Sequence, residues 1–466
     1  MVDIETECQK GAYDEHKFEI AFQSVLQMEK KDYPSYIGGF KVASGNDFIV
    51  KSPIDNTIDF GHFQEPEDGI TDTAVEAALK AYESWSMVEV SERVKYFEKA
   101  LEMICAQRYR LASIVVLSAG MIRCEALAEV DRLIDIIQTE CDRTKVLKGK
   151  SMGVWAIVTT HSSPLAAPAG FAVAAMLGGN SVIVMPSVYC PLPVYAVYEI
   201  LVKAGLPDGV MNLIVDRKEK TQETLTNDPR LAGVVASGSG KILDDMMFLQ
   251  VDDEISFINE IKGMNPAIVY KPSDMKKTVK DIISSAFRYS GQSIYSTSKV
   301  ILFMEDDQAF MDEFIEQMKS VRVDDPADPG ATMGPMISED NFKQLNETLK
   351  KVSNCVIMGG KKVSTEFTQN GSYVSPAVLI GLDDDDDLTY MDFGFPLLYI
   401  KVVPTIDEAF EELAYTECGQ SAGIFTKDQK VIEKFLKDSE VPEVFVNKCN
   451  EDLPVAASAK IDNFIR

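Results

Sequence analysis

The sequence predicts an α/β protein with two doubly wound domains, in which helices cover both faces of a largely parallel sheet. Three observations indicate this class. The 466 residues are 46% hydrophobic, which allows about two to four domains with large cores. Continuous apolar segments alternate with helical patterns from residue 153, as in parallel βαβ units. A second run of the same alternation begins at residue 267.

The N-terminal third is predicted to be mostly helical. Residues 1–35 are polar, and a strand pair is expected across the turn Ser44-Gly45-Asn46. Thr71 to Thr73 and Ser91 are expected to cap the first two helices. The predicted elements are strands Ser35–Val42 and Asp47–Lys51 and helices Ala74–Trp85, Glu92–Cys105, Tyr109–Ala119 and Cys124–Gln138.

The two α/β runs supply the sheets. The first has predicted strands at Gly153–Thr159, Val182–Met185, Val210–Val215 and Leu231–Ala236, with helices Ala166–Leu177 and Pro193–Ala204. The second has predicted strands at Ala267–Tyr270, Lys299–Phe303, Cys355–Met358, Tyr373–Leu379 and Leu397–Val403, with a helix ending near Tyr289 and another at Gln308–Val321. Residues Asp324–Gly334 are expected to form a loop.

These runs define the predicted domains. Residues 1–260 form an N-terminal region with a Rossmann-like, nucleotide-binding type of domain. Residues 261–447 form a catalytic type of α/β domain, and residues 448–466 form a short tail that packs back.

Charge excludes several classes of partner. Lys and Arg number 46 and Asp and Glu number 73, a net charge of −27. This field repels phosphate backbones and anionic lipids, and no concentrated basic patch opposes it. No apolar run is long enough to span a membrane, and the N-terminus lacks a signal sequence. We therefore expect a cytoplasmic protein that binds neither nucleic acid nor membrane.

Metal sites are not expected either. The eight Cys are scattered without a CxxC pair, and the only His are His16, His62 and His161. The acidic run Asp383–Asp387 is interpreted most simply as a solvated loop. A calcium site is the alternative, although the run lacks the alternating spacing of a calcium loop.

One glycine-containing turn could hold a phosphate. Gly238-Ser239-Gly240-Lys241 follows a predicted strand and could open a helix. Val235 and Ile242 exclude a Walker A loop, and Leu243 excludes GxGxxG. A plain strand-to-helix turn is the alternative.

Eight segments carry motifs that recur in one order along the chain: Ala169–Ser187, Ala204–Leu213, Glu260–Val269, Phe287–Val300, Asp325–Ser338, Gly371–Pro376, Met391–Pro396 and Ser421–Asp428. Taken in order, these segments resemble the aldehyde dehydrogenase family, and the likeness extends from about Tyr36 to about Asn447. The context Phe-Arg-Tyr-Ser-Gly-Gln resembles the pyrroline-5-carboxylate dehydrogenase branch.

The resemblance implies a dehydrogenase in which a thiolate attacks an aldehyde, hydride passes to a nicotinamide, and a thioester is hydrolysed. The nucleophilic Cys position is Ile294, which has no lone pair or ionisable proton. The oxyanion Asn position is Ser162, a shorter donor. The general-base Glu is retained as Glu260, here interpreted as a remnant, with Lys262 where the family has Gly.

The cofactor positions that the resemblance implies have also changed. Ser187, Gly238 and Ser239 keep the family residue, and Asp392 replaces a Glu on the nicotinamide ribose. The departures are Met185 for Lys, Val188 for Glu and Leu243 for Gly. We therefore expect either no NAD(P) binding or weak binding.

The leading interpretation is a catalytically inactive protein of this fold, a pseudoenzyme with a possible small-molecule ligand in the cleft. One alternative is an oxidoreductase that acts with NAD(P) on an aldehyde by a non-thiol route, and another is a nucleotide-binding regulatory protein. A homodimer is expected through the helix predicted at Lys241–Leu249. The family's β-hairpin arm has no counterpart in Thr139–Met152, which argues against a tetramer.

Overall fold

The computed structural model describes residues 13–238, 255–384, 386–390, 392, 394–416, 419–448 and 456–466. Within these ranges the chain forms two seven-stranded sheets and one three-stranded sheet, with α-helices packed around them. The predicted α/β class with two doubly wound sheets is therefore confirmed.

The N-terminal elements correct the predicted strand pairing. They are α1 (Glu15–Leu26), β1 (Lys31–Tyr33), β2 (Ser35–Ile37), β3 (Phe40–Val42), β4 (Asp47–Lys51) and β5 (Asp59–Gln64). The predicted strand Ser35–Val42 is itself a hairpin, because Gly38 and Gly39 adopt φ of +59° and +82° and turn the chain. β4 pairs instead with β5 in the small sheet, and the sequence analysis missed β5.

Four helices follow: α2 (Ile70–Trp85), α3 (Val90–Ala106), α4 (Arg108–Ala119) and α5 (Arg123–Thr144). The predicted caps are wrong. α2 begins after Gly69 and α3 after Glu89, so Thr71 and Ser91 lie inside the helices. Ile70 and Thr71 are buried in α2, so packing against the body of the protein extends that helix beyond the polar signal.

The first large sheet contains the parallel strands whose carboxyl ends position the candidate site. Its order is β10-β9-β6-β7-β8-β2-β3, and β10 to β8 are parallel. Its strands and helices after α5 are β6 (Val154–Thr159), α6 (Ala166–Leu177), β7 (Ser181–Met185), α7 (Leu192–Ala204), β8 (Met211–Leu213), α8 (Glu219–Thr226), β9 (Gly233–Gly238) and β10 (Ser256–Ile261). The strands β6, β7 and β9 are buried throughout, which explains their continuous apolar sequences.

The second large sheet has the order β13-β14-β15-β12-β11-β16-β17. Its elements are β11 (Ala267–Val269), α9 (Met275–Phe287), β12 (Lys299–Phe303), α10 (Asp307–Met318), α11 (Glu339–Lys351), β13 (Val356–Met358), β14 (Ala377–Ile380), β15 (Leu397–Val403), α12 (Ile406–Tyr415), β16 (Ser421–Phe425), α13 (Gln429–Asp438) and β17 (Glu443–Val446). The chain leaves the first sheet at Ile261 and enters the second at Ala267. The exact domain limits remain predictions.

The last residues contact the first sheet. Ser151 bridges Ile465, and the backbones of Lys150 and Arg466 exchange hydrogen bonds of 2.8 and 2.9 Å. The ring of Phe464 meets Trp155 at 4.7 Å between centroids. Residues 145–153 therefore connect α5 to β6 without a hairpin arm. The helix predicted at Lys241–Leu249 lies outside the described residues.

Candidate functional site

The candidate site lies where the parallel strands of the first sheet end. Ligands of doubly wound proteins bind at the carboxyl ends of such strands. The loop after β6 carries His161 and Ser162, β9 ends at Gly238, and β10 leads through Glu260 to Lys262. A contact of Lys262 with Gly291 brings the segment after α9 to this edge.

Ile294, at the position expected for a nucleophile, is a fully buried apolar residue. It is 0% exposed, and its carbonyl oxygen accepts a hydrogen bond of 2.9 Å from Asn265 Nδ2. That bond fixes the backbone at this position, and the side chain is shielded from solvent. An isoleucine held in this way supplies neither a nucleophile nor a proton.

Ser293 and Tyr295 flank Ile294 in the sequence. Ser293 Oγ accepts a hydrogen bond of 3.3 Å from the Tyr295 amide. Burial raises the pKa of Tyr295 far above its usual range, and the nearby Glu260 acts in the same direction. Burial also raises the pKa of Cys190, in the loop after β7, to about 12, so this sulfur is a neutral thiol at neutral pH.

The expected oxyanion position is occupied by a short side chain. Ser162 is 2% exposed, and its Oγ lies 3.2 Å from Thr160 Oγ1. Next to it, the ring of His161 meets the ring of Tyr189 at 6.0 Å between centroids. Burial lowers the pKa of His161 to about 4, and the charge of Lys262 acts in the same direction. The imidazole is therefore neutral at pH 7.

Glu260 keeps its carboxyl group in a buried place. The residue is 1% exposed, and its Oε1 accepts a hydrogen bond of 2.6 Å from the Ser458 amide. Its Oε2 has no hydrogen-bond partner among the described residues. Burial raises the pKa of this carboxyl group, while the Ser458 hydrogen bonds and the charge of Arg132 oppose the rise.

Lys262 and Asp392 form a buried ion pair. The ammonium nitrogen lies 3.1 Å from Asp392 Oδ2, and the two side chains are 1% and 3% exposed. The same nitrogen donates a hydrogen bond to the carbonyl oxygen of Gly291. Asp392 Oδ1 accepts a hydrogen bond of 2.7 Å from the Gly394 amide. The carboxylate that the resemblance assigns to the nicotinamide ribose is thus already bound within the chain.

The described residues at the expected cofactor positions are engaged within the chain or lack a polar group. Besides the Lys262–Asp392 pair, Met185 at the end of β7 is 5% exposed and offers no donor to a ribose. A Cβ atom on Gly238 would overlap Thr160 Oγ1. The side chain of Thr160 therefore already fills the space beside this glycine. Ser187 Oγ accepts a hydrogen bond from the Tyr189 amide at 3.3 Å. Val188 packs against the core.

Two expected cofactor residues, Ser239 and Leu243, lie outside the described residues. Among the residues that are described, no group of three or more His, Cys, Asp or Glu could hold a metal ion. In the same part of the chain, no helix is long and apolar enough to cross a membrane.

The sequence analysis missed Asn265 as an organising residue. Its Nδ2 donates to the carbonyl oxygens of Ile294 and Ser296, each at 2.9 Å. Its Oδ1 accepts from the amides of Gln420 and Ser421 at 3.1 and 2.9 Å. The signal available was an Asn directly before Pro266, where a polar side chain often bonds to neighbouring backbone. The sequence does not show which backbone groups it meets.

Comparison with known proteins identifies the family. The profile of the aldehyde dehydrogenase family matches residues 41–457. The chain is 24% identical to a Bacillus subtilis 1-pyrroline-5-carboxylate dehydrogenase, covering 90% of this chain and 85% of that protein. It is 25% identical to the NADP(+) D-glyceraldehyde dehydrogenase of Picrophilus torridus, covering 81% and 80%.

A solved structure shares the fold. The chain superposes on 1-pyrroline-5-carboxylate dehydrogenase from Thermus with bound NAD at a TM-score of 0.89. The sequence identity is 19%, and the superposition covers 97% of this chain and 95% of the other. This likeness shows the fold, and the family match over residues 41–457 establishes that the chain belongs to the aldehyde dehydrogenase family.

Proposed function

We propose that this protein, related to the pyrroline-5-carboxylate dehydrogenases, lacks the thiol-dependent dehydrogenase activity of its family and acts as a pseudoenzyme with a binding or regulatory role. The observation that carries the proposal is the fully buried Ile294 at the nucleophile position. Covalent catalysis needs a lone pair at this point, and a hydrocarbon side chain has none.

Two further side chains support the loss of activity. Ser162 already lies against Thr160 Oγ1, and its short side chain does not reach as far as an Asn amide. Removal of one oxyanion donor costs about 2.7–4 kcal/mol of transition-state stabilisation. Glu260 Oε1 already accepts a hydrogen bond of 2.6 Å from the Ser458 amide, so this oxygen is engaged within the chain.

We also propose that NAD(P) binds weakly or not at all. The Lys262–Asp392 pair and the buried Met185 replace groups that would hold ribose hydroxyls. Each lost hydrogen bond is worth about 0.5–1.5 kcal/mol. Loss of several together takes a micromolar affinity to about millimolar, because about 4 kcal/mol is a thousandfold change.

The remaining cleft is proposed to take a small-molecule ligand. The support is the buried Glu260 Oε2, which has no hydrogen-bond partner among the described residues and could bond to a ligand donor or acceptor, depending on its protonation. We propose that the protein works in the cytoplasm as a homodimer.

Steady-state kinetics tests the main proposal. Purified protein is incubated with glutamate semialdehyde or a simple aldehyde and with NAD+ or NADP+, and the absorbance of the reduced nicotinamide is followed. The expected rate equals that of a buffer control, while an active pyrroline-5-carboxylate dehydrogenase assayed in parallel turns over. Turnover in the usual enzymatic range of about 1–1000 per second would refute the proposal.

A further inference from the structure

We propose that Lys262 is a built-in occupant of the cleft, whose side chain takes the place of the nicotinamide ribose and closes that half of the site to a dinucleotide. This inference rests on the proposed weak binding of NAD(P). It assigns part of that weakness to one residue of the described chain and predicts that one substitution relieves this part.

The first support is the way Lys262 is anchored. Its backbone amide donates a hydrogen bond of 2.7 Å to the carbonyl oxygen of Gly238, the last residue of β9. This bond fixes the Cα atom at the carboxyl edge of the first sheet. Its ammonium group, however, contacts Gly291 and Asp392, which lie in connections of the second sheet. The side chain therefore reaches from the edge of the first sheet to the connections of the second.

The second support is the burial of the ion pair. The ammonium group of Lys262 forms an ion pair with Asp392 and donates a hydrogen bond to the carbonyl oxygen of Gly291. Both charged side chains are almost fully buried. A buried charge that loses its partner is strongly disfavoured, so the pair resists displacement. A ribose hydroxyl that approached Asp392 would have to strip the carboxylate of its cation and leave the ammonium group buried and unpaired.

The third support is the residue type. The family segment that Glu260–Val269 resembles has Gly at position 262, where no side chain would enter the cleft. The neighbouring Gly263 is retained, while Met264 stands where the family segment has Lys, so position 262 itself gains one long side chain. Lys262→Gly is thus the smallest substitution that empties the space.

The test measures the binding of NADH and of ADP by isothermal titration calorimetry. ADP carries the adenosine half alone, so it separates the two halves of the site. Lys262→Gly is expected to bind NADH at least about tenfold more tightly than the unsubstituted protein, with the affinity for ADP unchanged. Lys262→Met, which keeps the length of the side chain without its charge, is expected to leave NADH binding weak.

Lys299→Met is the matched control. Lys299, the first residue of β12 in the second sheet, is also buried. Its ammonium nitrogen lies 2.6 Å from Oε1 of Glu412, which lies in α12. It should lose thermal stability without gaining affinity for NADH, which separates opening of the cleft from general loosening.

Three results would overturn the inference: no gain of NADH affinity in a folded Lys262→Gly protein, an equal gain for ADP, or the same gain in Lys299→Met. Tight NADH binding by the unsubstituted protein would instead refute the proposed loss of cofactor binding itself. The two failures are therefore distinguishable.

Discussion

The buried imidazole of His161 should make the stability of this protein sensitive to acid. Burial holds the pKa of His161 at about 4 in the folded chain, against an ordinary value of 6.5. Between these pH values the unfolded chain binds a proton that the folded chain excludes. The contribution of His161 to the free energy of unfolding is therefore fully present above pH 6.5 and is lost as the pH falls toward 4. At about 1.4 kcal/mol per pH unit, the gap corresponds to about 3 kcal/mol.

His161→Phe removes this titration while keeping an aromatic ring beside Tyr189. The free energy of unfolding is measured in urea at several values between pH 4 and 7.5. Between pH 7.5 and pH 4 it should fall by about 3 kcal/mol less in His161→Phe than in the unsubstituted protein. His62→Phe is the control, because His62 is exposed and pairs with Asp47 on the surface. An unchanged acid sensitivity in His161→Phe would refute the reasoning.

Three further expectations follow from the same structure. Ile294→Cys should not restore turnover above about one hundredth of an active relative's rate, because Ser162 still lacks the reach of an oxyanion donor. The assay is steady-state kinetics, and a rate equal to that of an active relative contradicts it. Asn265→Ala should cost about 3–5 kcal/mol in urea unfolding, because it removes buried hydrogen bonds to Ile294 and Ser421. A loss below about 1 kcal/mol would show that water replaces those bonds. Light scattering at several protein and salt concentrations should show a dimer or a monomer–dimer equilibrium, because residues 145–153 form no hairpin arm. A stable tetramer at low micromolar concentration contradicts that expectation.

The central strands and helices could be predicted because elements that are buried on all sides have unbroken apolar sequences. Val154–Thr159 and Ala166–Leu177 are buried along their whole length, so an unbroken apolar sequence marks them. Peripheral elements carry weaker signals. β10 has the sequence SFINEI and is half-buried over most of its length, while α8 is polar, so neither was predicted.

The site could be predicted only as a set of positions. Ile294, Ser162 and Glu260 follow from ordered resemblance, and the structure gives their burial and contacts. Lys262 was noted as an unusual replacement, but the sequence does not show that its ammonium group meets Asp392, because the two are 130 residues apart in the chain. Contacts between distant segments depend on how the two sheets are placed, and local pattern does not encode that placement.

The chemistry at Ile294 can be tested most directly in a single turnover. The protein, at a concentration equal to that of the aldehyde, is mixed with glutamate semialdehyde and saturating NAD+ or NADP+, and reduced nicotinamide is measured before any product needs to leave. This measurement detects even one hydride transfer per chain and is independent of slow product release. We expect no reduced nicotinamide above a control without protein. Formation of one equivalent per chain would show that the protein retains dehydrogenase chemistry and would contradict the account.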